Sequence, residues 1–102
     1  MKFYKCISVK EAKEILNNDE NTILIDVRDS DSYNEEHDPN AIHVTTTNMR
    51  SFMKETDKEM NILILCYLGN TSMIMAQLFC GQGFSNVYSI DGGYEAWRSK
   101  SR

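Results

Sequence analysis

The residues best suited to chemistry lie together in Cys66-Tyr67-Leu68-Gly69-Asn70-Thr71-Ser72. The uncharged run before them, Ile62-Leu63-Ile64-Leu65, reads as a buried strand. The stretch after them, Met73 to Cys80, has no Gly or Pro and reads as a helix that Gly81 ends. Cys66 therefore stands where a strand stops and a helix begins. In an open α/β sheet that edge is where ligands bind. Gly69 frees the backbone of the loop, so successive N–H groups can converge on one point as an anion nest. The following helix adds the positive end of its dipole. A thiol in such a place is favoured as the thiolate, which is the nucleophile. The competing reading is a cysteine that only ends a core strand, since free Cys is often buried and inert. Strand, cysteine, loop and helix alone leave both readings open.

The elements that must position this loop alternate along the chain. Tyr4 to Ile7 reads as a short first strand. Ser8 and Glu11 form a capping box, and Val9, Ala12, Ile15 and Leu16 follow at helical spacing. Thr22 to Val27 is apolar apart from Thr22 and Asp26, as expected of a strand covered on both faces. Asp29 to Tyr33 opens a short helix, and the only proline, Pro39, follows in the break after it. Ala41 to Val44 is a small strand, and Met49, Phe52 and Met53 mark an amphipathic turn or two. Val87 to Ile90 is the last strand, Asp91-Gly92-Gly93 a turn, and Tyr94 to Arg98 a closing helix. Tyr94 and Trp97 share a face there and are expected to pack on the sheet rather than on a cofactor. Five strands alternating with helices predict a parallel sheet with helices on both faces.

Asp26 ends one of these strands. A buried carboxylate needs hydrogen-bond donors. Residues i and i+2 of a strand share a face, so Asp26 and Arg28 meet if the strand continues that far. The expected role of Asp26 is to accept from loop N–H groups and order them, rather than to act as a catalytic carboxylate.

The 102 residues suffice for one domain with one modest core. A net charge of −4 supplies no basic face for nucleic acid. No apolar run approaches the length that spans a membrane. Met1-Lys2-Phe3-Tyr4-Lys5 has no apolar stretch behind it, so no signal peptide is expected. The three cysteines are odd in number and widely spaced, which suits a reducing cytoplasm better than a disulfide framework. The two histidines and scattered cysteines have no metal-ligand spacing.

Four stretches in this order resemble the rhodanese-like domains, and the single-domain thiosulfate sulfurtransferases most closely. They are Leu24-Ile25-Asp26-Val27-Arg28, the element from His37 to Val44, the loop Cys66 to Ser72, and the run from Val87 to Trp97. The resemblance covers nearly the whole chain and implies one domain over residues 1–102, with a five-stranded parallel sheet flanked by helices on both faces. It implies Cys66 as the carrier of sulfane sulfur, as a persulfide taken from thiosulfate or another donor and passed to a thiol or to cyanide. The N–H groups of Tyr67, Leu68, Gly69, Asn70, Thr71 and Ser72 would bind the persulfide and the leaving anion, with Asp26 and Arg28 in support. The reaction needs no cofactor and no metal. Its partners would be a small-molecule or protein sulfur donor and a thiol acceptor, with the oligomeric state left open.

The same fold also serves as a non-catalytic interaction or regulatory module. Phosphatases of related fold use a loop one residue longer that ends in Arg, which neutralises a phosphate bidentately. This loop has neither feature. Where many relatives carry a cation in or just after the loop, this chain has Leu68, Thr71 and Met73. Glu36 and Asn40 stand where the family has glycines. His37 and His43 match the family element and are expected to act structurally near Asp26 and Arg28.

Overall fold

A computed structural model describes residues 3–100. The expectation that rests on Met1 and Lys2, and the outermost reach of the domain at both ends, lie outside the described residues. The elements run β1 (Lys5–Ile7), α1 (Val9–Asn18), β2 (Thr22–Asp26), α2 (Ser30–Glu35), β3 (Ala41–His43), α3 (Met49–Glu55), β4 (Asn61–Leu65), α4 (Thr71–Gly81), β5 (Asn86–Ile90) and α5 (Gly93–Lys100). The five strands form one parallel sheet in the order β1-β5-β4-β2-β3.

Side-chain alternation in the strands divides the core in two. Ile25, Ile62, Ile64 and Val87 face α3 and α4, meeting Met53, Met75 and Phe79. Leu24, Leu63, Leu65 and Ile90 face the other way, meeting Val9 and Ala12 of α1 and Tyr94 and Trp97 of α5. The aromatic pair of α5 thus packs on the sheet, as its spacing predicts. β4 is central and buried along its last four residues, and Cys66 leaves from its end.

The boundaries shift in ways that matter for the site. The Ser8–Glu11 capping box forms as expected, with the Glu11 N–H 3.1 Å from Ser8 Oγ. β1 begins at Lys5 rather than Tyr4. β2 stops at Asp26, although the Val27 N–H still donates to Leu65 O at 2.9 Å. α4 begins at Thr71, two residues earlier than its apolar pattern predicts, and continues through Gly81. Gly81 is its last residue but does not supply the left-handed turn that closes it. Gly83 does, with φ 96°, its N–H donating to Cys80 O while the Phe84 N–H donates to Phe79 O. That pairing is a Schellman stop, and the Phe79 and Phe84 rings close it edge-to-face at 5.0 Å. Among the described residues no helix is long and apolar enough to cross a membrane.

Candidate active site

Cys66 lies just past β4 and is 1% exposed. Its Sγ accepts from the Gly69 N–H at 3.0 Å, closing the loop on itself. The Ser72 hydroxyl is 3.3 Å from the same sulfur, and the Ser89 hydroxyl is 2.7 Å from that of Ser72. Both serines are buried. A row of two hydroxyls therefore leads from β5 through α4 to the sulfur. When the sulfur is anionic, Ser72 can donate to it and accept from Ser89.

The opposite side of the loop rests on α5. The Tyr94 N–H donates to Cys66 O at 2.6 Å and the Glu95 N–H to Tyr67 O at 3.4 Å. In a trans peptide the N–H points opposite to the C=O. Holding these two carbonyls against α5 therefore turns the amides of Tyr67 and Leu68 away from it. The close approach depends on Gly93, at φ 59°, where a Cβ would lie 2.5 Å from Cys66 O and against Tyr67 O. Across the loop, Asn70 precedes α4 with its side chain capping nothing, and the first turn of α4 holds no acidic residue. The amides of Thr71 and Ser72 have no partner within the helix, and the positive end of α4 faces the loop unneutralised.

Of the residues singled out from the sequence, Cys66, Gly69 and Ser72 converge on the sulfur. Asn70 and Thr71 are exposed and contribute backbone. Tyr67 and Leu68 turn their side chains outward, 47% and 64% exposed. Asp26 takes a loop N–H, as expected, but from its own β2–α2 loop and not from the loop of Cys66. It accepts the Arg28 backbone N–H at 3.0 Å, while the Arg28 guanidinium reaches its carboxylate with Nε at 3.0 Å and Nη2 at 2.7 Å. Because β2 ends at Asp26, the chain bends and brings Arg28 back onto it. No extended continuation of the strand is involved.

Both members of this pair are buried. Burial works against the charge of Arg28, but the Asp26 carboxylate outweighs it and holds the guanidinium above its ordinary pKa. The guanidinium lies 3.9 Å from the centre of the Tyr94 ring, and Nη2 also donates to Glu36 O at 2.8 Å. Asp26 and Arg28 thus support the loop indirectly, by bracing the residue whose N–H holds Cys66 O.

The element from His37 to Val44 is a brace as well. The Tyr33 ring stacks between His37 and His43, at 3.8 and 4.3 Å, and His43 Nε2 is 2.7 Å from Arg28 O. The replaced glycines cause no strain, because no non-glycine among the described residues has positive φ and Glu36 is extended at φ −161°. A cleft of ≈ 170 Å³ opens beside the loop between Tyr67, Tyr94, Glu35, Glu36, Glu95 and Arg98. Tyr67 reaches across it to share a hydrogen bond with Ser32. Among the described residues no group of three or more His, Cys, Asp or Glu is placed to hold a metal ion.

Sequence reasoning missed Ser89 and Gly93. Ser89 is a lone hydroxyl in a covered strand, which is a weak signal. Gly93 was visible only as the second of two glycines before a helix.

A rhodanese-like domain model matches residues 8–100. Among solved structures, a rhodanese-like domain protein from Staphylococcus aureus superposes with a TM-score of 0.80 at 22% identity, over 91% of this chain and 90% of that one. A rhodanese-related protein from Thermoplasma volcanium gives 0.79 at 20% identity, over 95% and 93%. A protein from Bacillus halodurans gives 0.78 at 27% identity, over 96% and 73%.

Proposed function

The chain belongs to the rhodanese-like domain family, and we propose that it is a sulfurtransferase that carries sulfane sulfur on Cys66. The observation that carries this reading is the setting of Sγ. It lies between the Gly69 N–H and the Ser72 hydroxyl, beside the uncapped start of α4. That arrangement supports an anionic sulfur at Cys66 and an anion leaving over the loop.

In the first half-reaction the Cys66 thiolate attacks the outer sulfur of the donor. The donor's S–S bond breaks, a new one forms to Sγ, and the leaving group keeps the electron pair. From thiosulfate that group is sulfite. In the second half-reaction an acceptor thiolate, or cyanide, takes the outer sulfur and Cys66 leaves as thiolate. Neither half-reaction changes the electron count, so no redox cofactor is called for.

The donor we favour is a persulfide rather than thiosulfate. Residues 61–90 contain no charged side chain, and the nearby Arg28 is matched by Asp26. A dianion would meet backbone dipoles alone. The cysteines among the described residues, Cys6, Cys66 and Cys80, are not bridged to one another, which suits a reducing compartment such as the cytoplasm.

The test is intact mass after incubation with glutathione persulfide or with thiosulfate. One added sulfur is expected, lost on treatment with cyanide and absent from Cys66→Ala. Sulfur loading or sulfite release by Cys66→Ala would overturn the reading. The near-complete burial of the Cys66 sulfur favours one alternative, a non-catalytic interaction or regulatory module. A parent protein that takes no sulfur from either donor would select it.

A further inference from the structure

The surface around the loop has two unlike halves. One half is α4. Its inner face, Ser72, Met75, Ala76, Phe79 and Cys80, is buried. Its outer face would ordinarily be charged. The exposed positions of α1 include Lys10, Glu11 and Glu14, and those of α3 include Arg50, Lys54 and Glu55. On α4 the outward positions one turn apart are instead Ile74 and Leu78, 65% and 46% exposed. Tyr67 and Leu68 continue this apolar character onto the loop. These four make up four of the six large hydrophobic residues exposed among the described residues, so the exposed apolar residues are concentrated on the Cys66 loop and the helix that follows it.

The other half is the cleft on the α2–α5 side, which Tyr67 also lines. It carries Glu35, Glu36 and Glu95 against Arg98, whose guanidinium is 3.5 Å from Glu36 and 4.0 Å from Glu95. Arg28 is already matched by Asp26. The cleft is therefore net negative.

We infer that the loop and its two flanks form a docking surface for a protein thiol presented between apolar and basic side chains. This rests on the reading of Cys66 as a sulfur carrier and names the acceptor class for it. Charge complementarity makes the choice. A small anionic thiol is repelled by the cleft and gains nothing from α4. A chain segment with an apolar residue on one side of its cysteine and Lys or Arg on the other satisfies both halves at once. The acceptor thiolate attacks the outer sulfur of the Cys66 persulfide. The bond to Sγ breaks, Cys66 leaves as thiolate, and the outer sulfur departs on the acceptor with its proton.

The probes are three synthetic peptides, Leu-Lys-Cys-Lys-Leu, Leu-Glu-Cys-Glu-Leu and Ser-Lys-Cys-Lys-Ser, with cyanide as a fourth acceptor. Single turnovers start from preformed persulfide, and rates are compared at equal thiolate concentration. The first peptide is expected to outrun each of the other two about tenfold at low salt, as two screened charge pairs or two partly buried apolar side chains allow. Ile74→Ser with Leu78→Ser should erase its lead over the serine peptide. Glu35→Gln should narrow its lead over the acidic peptide, and raised salt should erase it. Cyanide should react with all variants at the parent rate. Equal rates for the three peptides beside a normal cyanide rate would overturn the docking surface alone. So would sedimentation showing that the Ile74/Leu78 pair of changes splits a parent dimer, or co-flotation of the parent with phosphatidylcholine–phosphatidylserine vesicles. If no cyanide-labile sulfur forms, the carrier reading falls and the surface with it.

Discussion

Gly93→Ala tests whether α5 holds the sulfur loop in shape. At φ 59° an added methyl meets a conformational cost of about 1–2 kcal/mol. Its Cβ would also lie 2.5 Å from Cys66 O and against Tyr67 O, both backbone atoms that no rotamer change can move aside. The carbonyl must retreat by about half an ångström to reach a tolerable contact, which weakens the Tyr94 N–H bond to it, worth about 1 kcal/mol. The sum is about 2–3 kcal/mol, or a melting point lower by roughly 10–20 °C for a domain of this size. Displacing the Cys66 carbonyl also tilts the amides around Sγ, so persulfide formation should slow about 100-fold even where the protein is still folded. Gly81→Ala is the control. It sits in the last turn of α4, has nothing within 4 Å of the added carbon, and should raise the melting point by a few degrees. The assays are a thermal melt and the rate of mass gain under excess persulfide donor. If Gly93→Ala melts within about 2 °C of the parent and loads sulfur at the parent rate, the contact between α5 and the loop is not what shapes the site.

The other predictions are separable from this one. Asp26→Asn leaves a buried Arg28 unmatched and should cost about 3–5 kcal/mol in denaturant melts, while cyanide attack on preformed persulfide keeps its rate in the folded protein. Ser72→Ala should slow persulfide formation about tenfold by removing a donor to the anionic sulfur, and Ser89→Ala should do so a few-fold; equal parent rates in both would show the hydroxyl row to be inert. Burial, and then Glu36, raise the pKa of the Tyr94 hydroxyl above its ordinary value near 10. The unfolded chain then loses this proton first, so the contribution is whole below about pH 10 and is lost as pH rises through the folded value. Tyr94→Phe should flatten that alkaline fall in stability, measured by urea melts, and an unchanged slope would contradict it.

The fold was legible because the strands are short apolar runs that admit one reading each, as Ile62 to Leu65 does. The capping box at Ser8 and the position of Cys66 between strand and helix were local signals of the same kind. Arg28 was legible as a partner of Asp26, but the bend that brings it there was not, because it depends on where β2 stops, and Val27 is as good a strand residue as Ile25. The residue that turns the chain after α4 was not legible, because either Gly81 or Gly83 could supply the left-handed turn. Only the packing of Phe84 on Phe79 selects the second. Ser89 and Gly93 belong to the site through contacts between residues far apart in the chain, Ser89 with Ser72 and Gly93 with Cys66, and no short-range pattern reports such contacts.

The order of the sheet also bears on when the site comes into being. β1 pairs with β5 alone, Cys6 beside Ser89, so an early segment of this domain waits for a late one. The loop waits longer still, since its two carbonyls are held by the N–H groups of Tyr94 and Glu95. During synthesis β2, β3 and β4 can assemble early, with Cys66 already at their edge. Its amide cradle closes only after α5 has emerged and docked. Until then the Cys66 sulfur lacks its full setting, and the site is among the last parts of the domain to form.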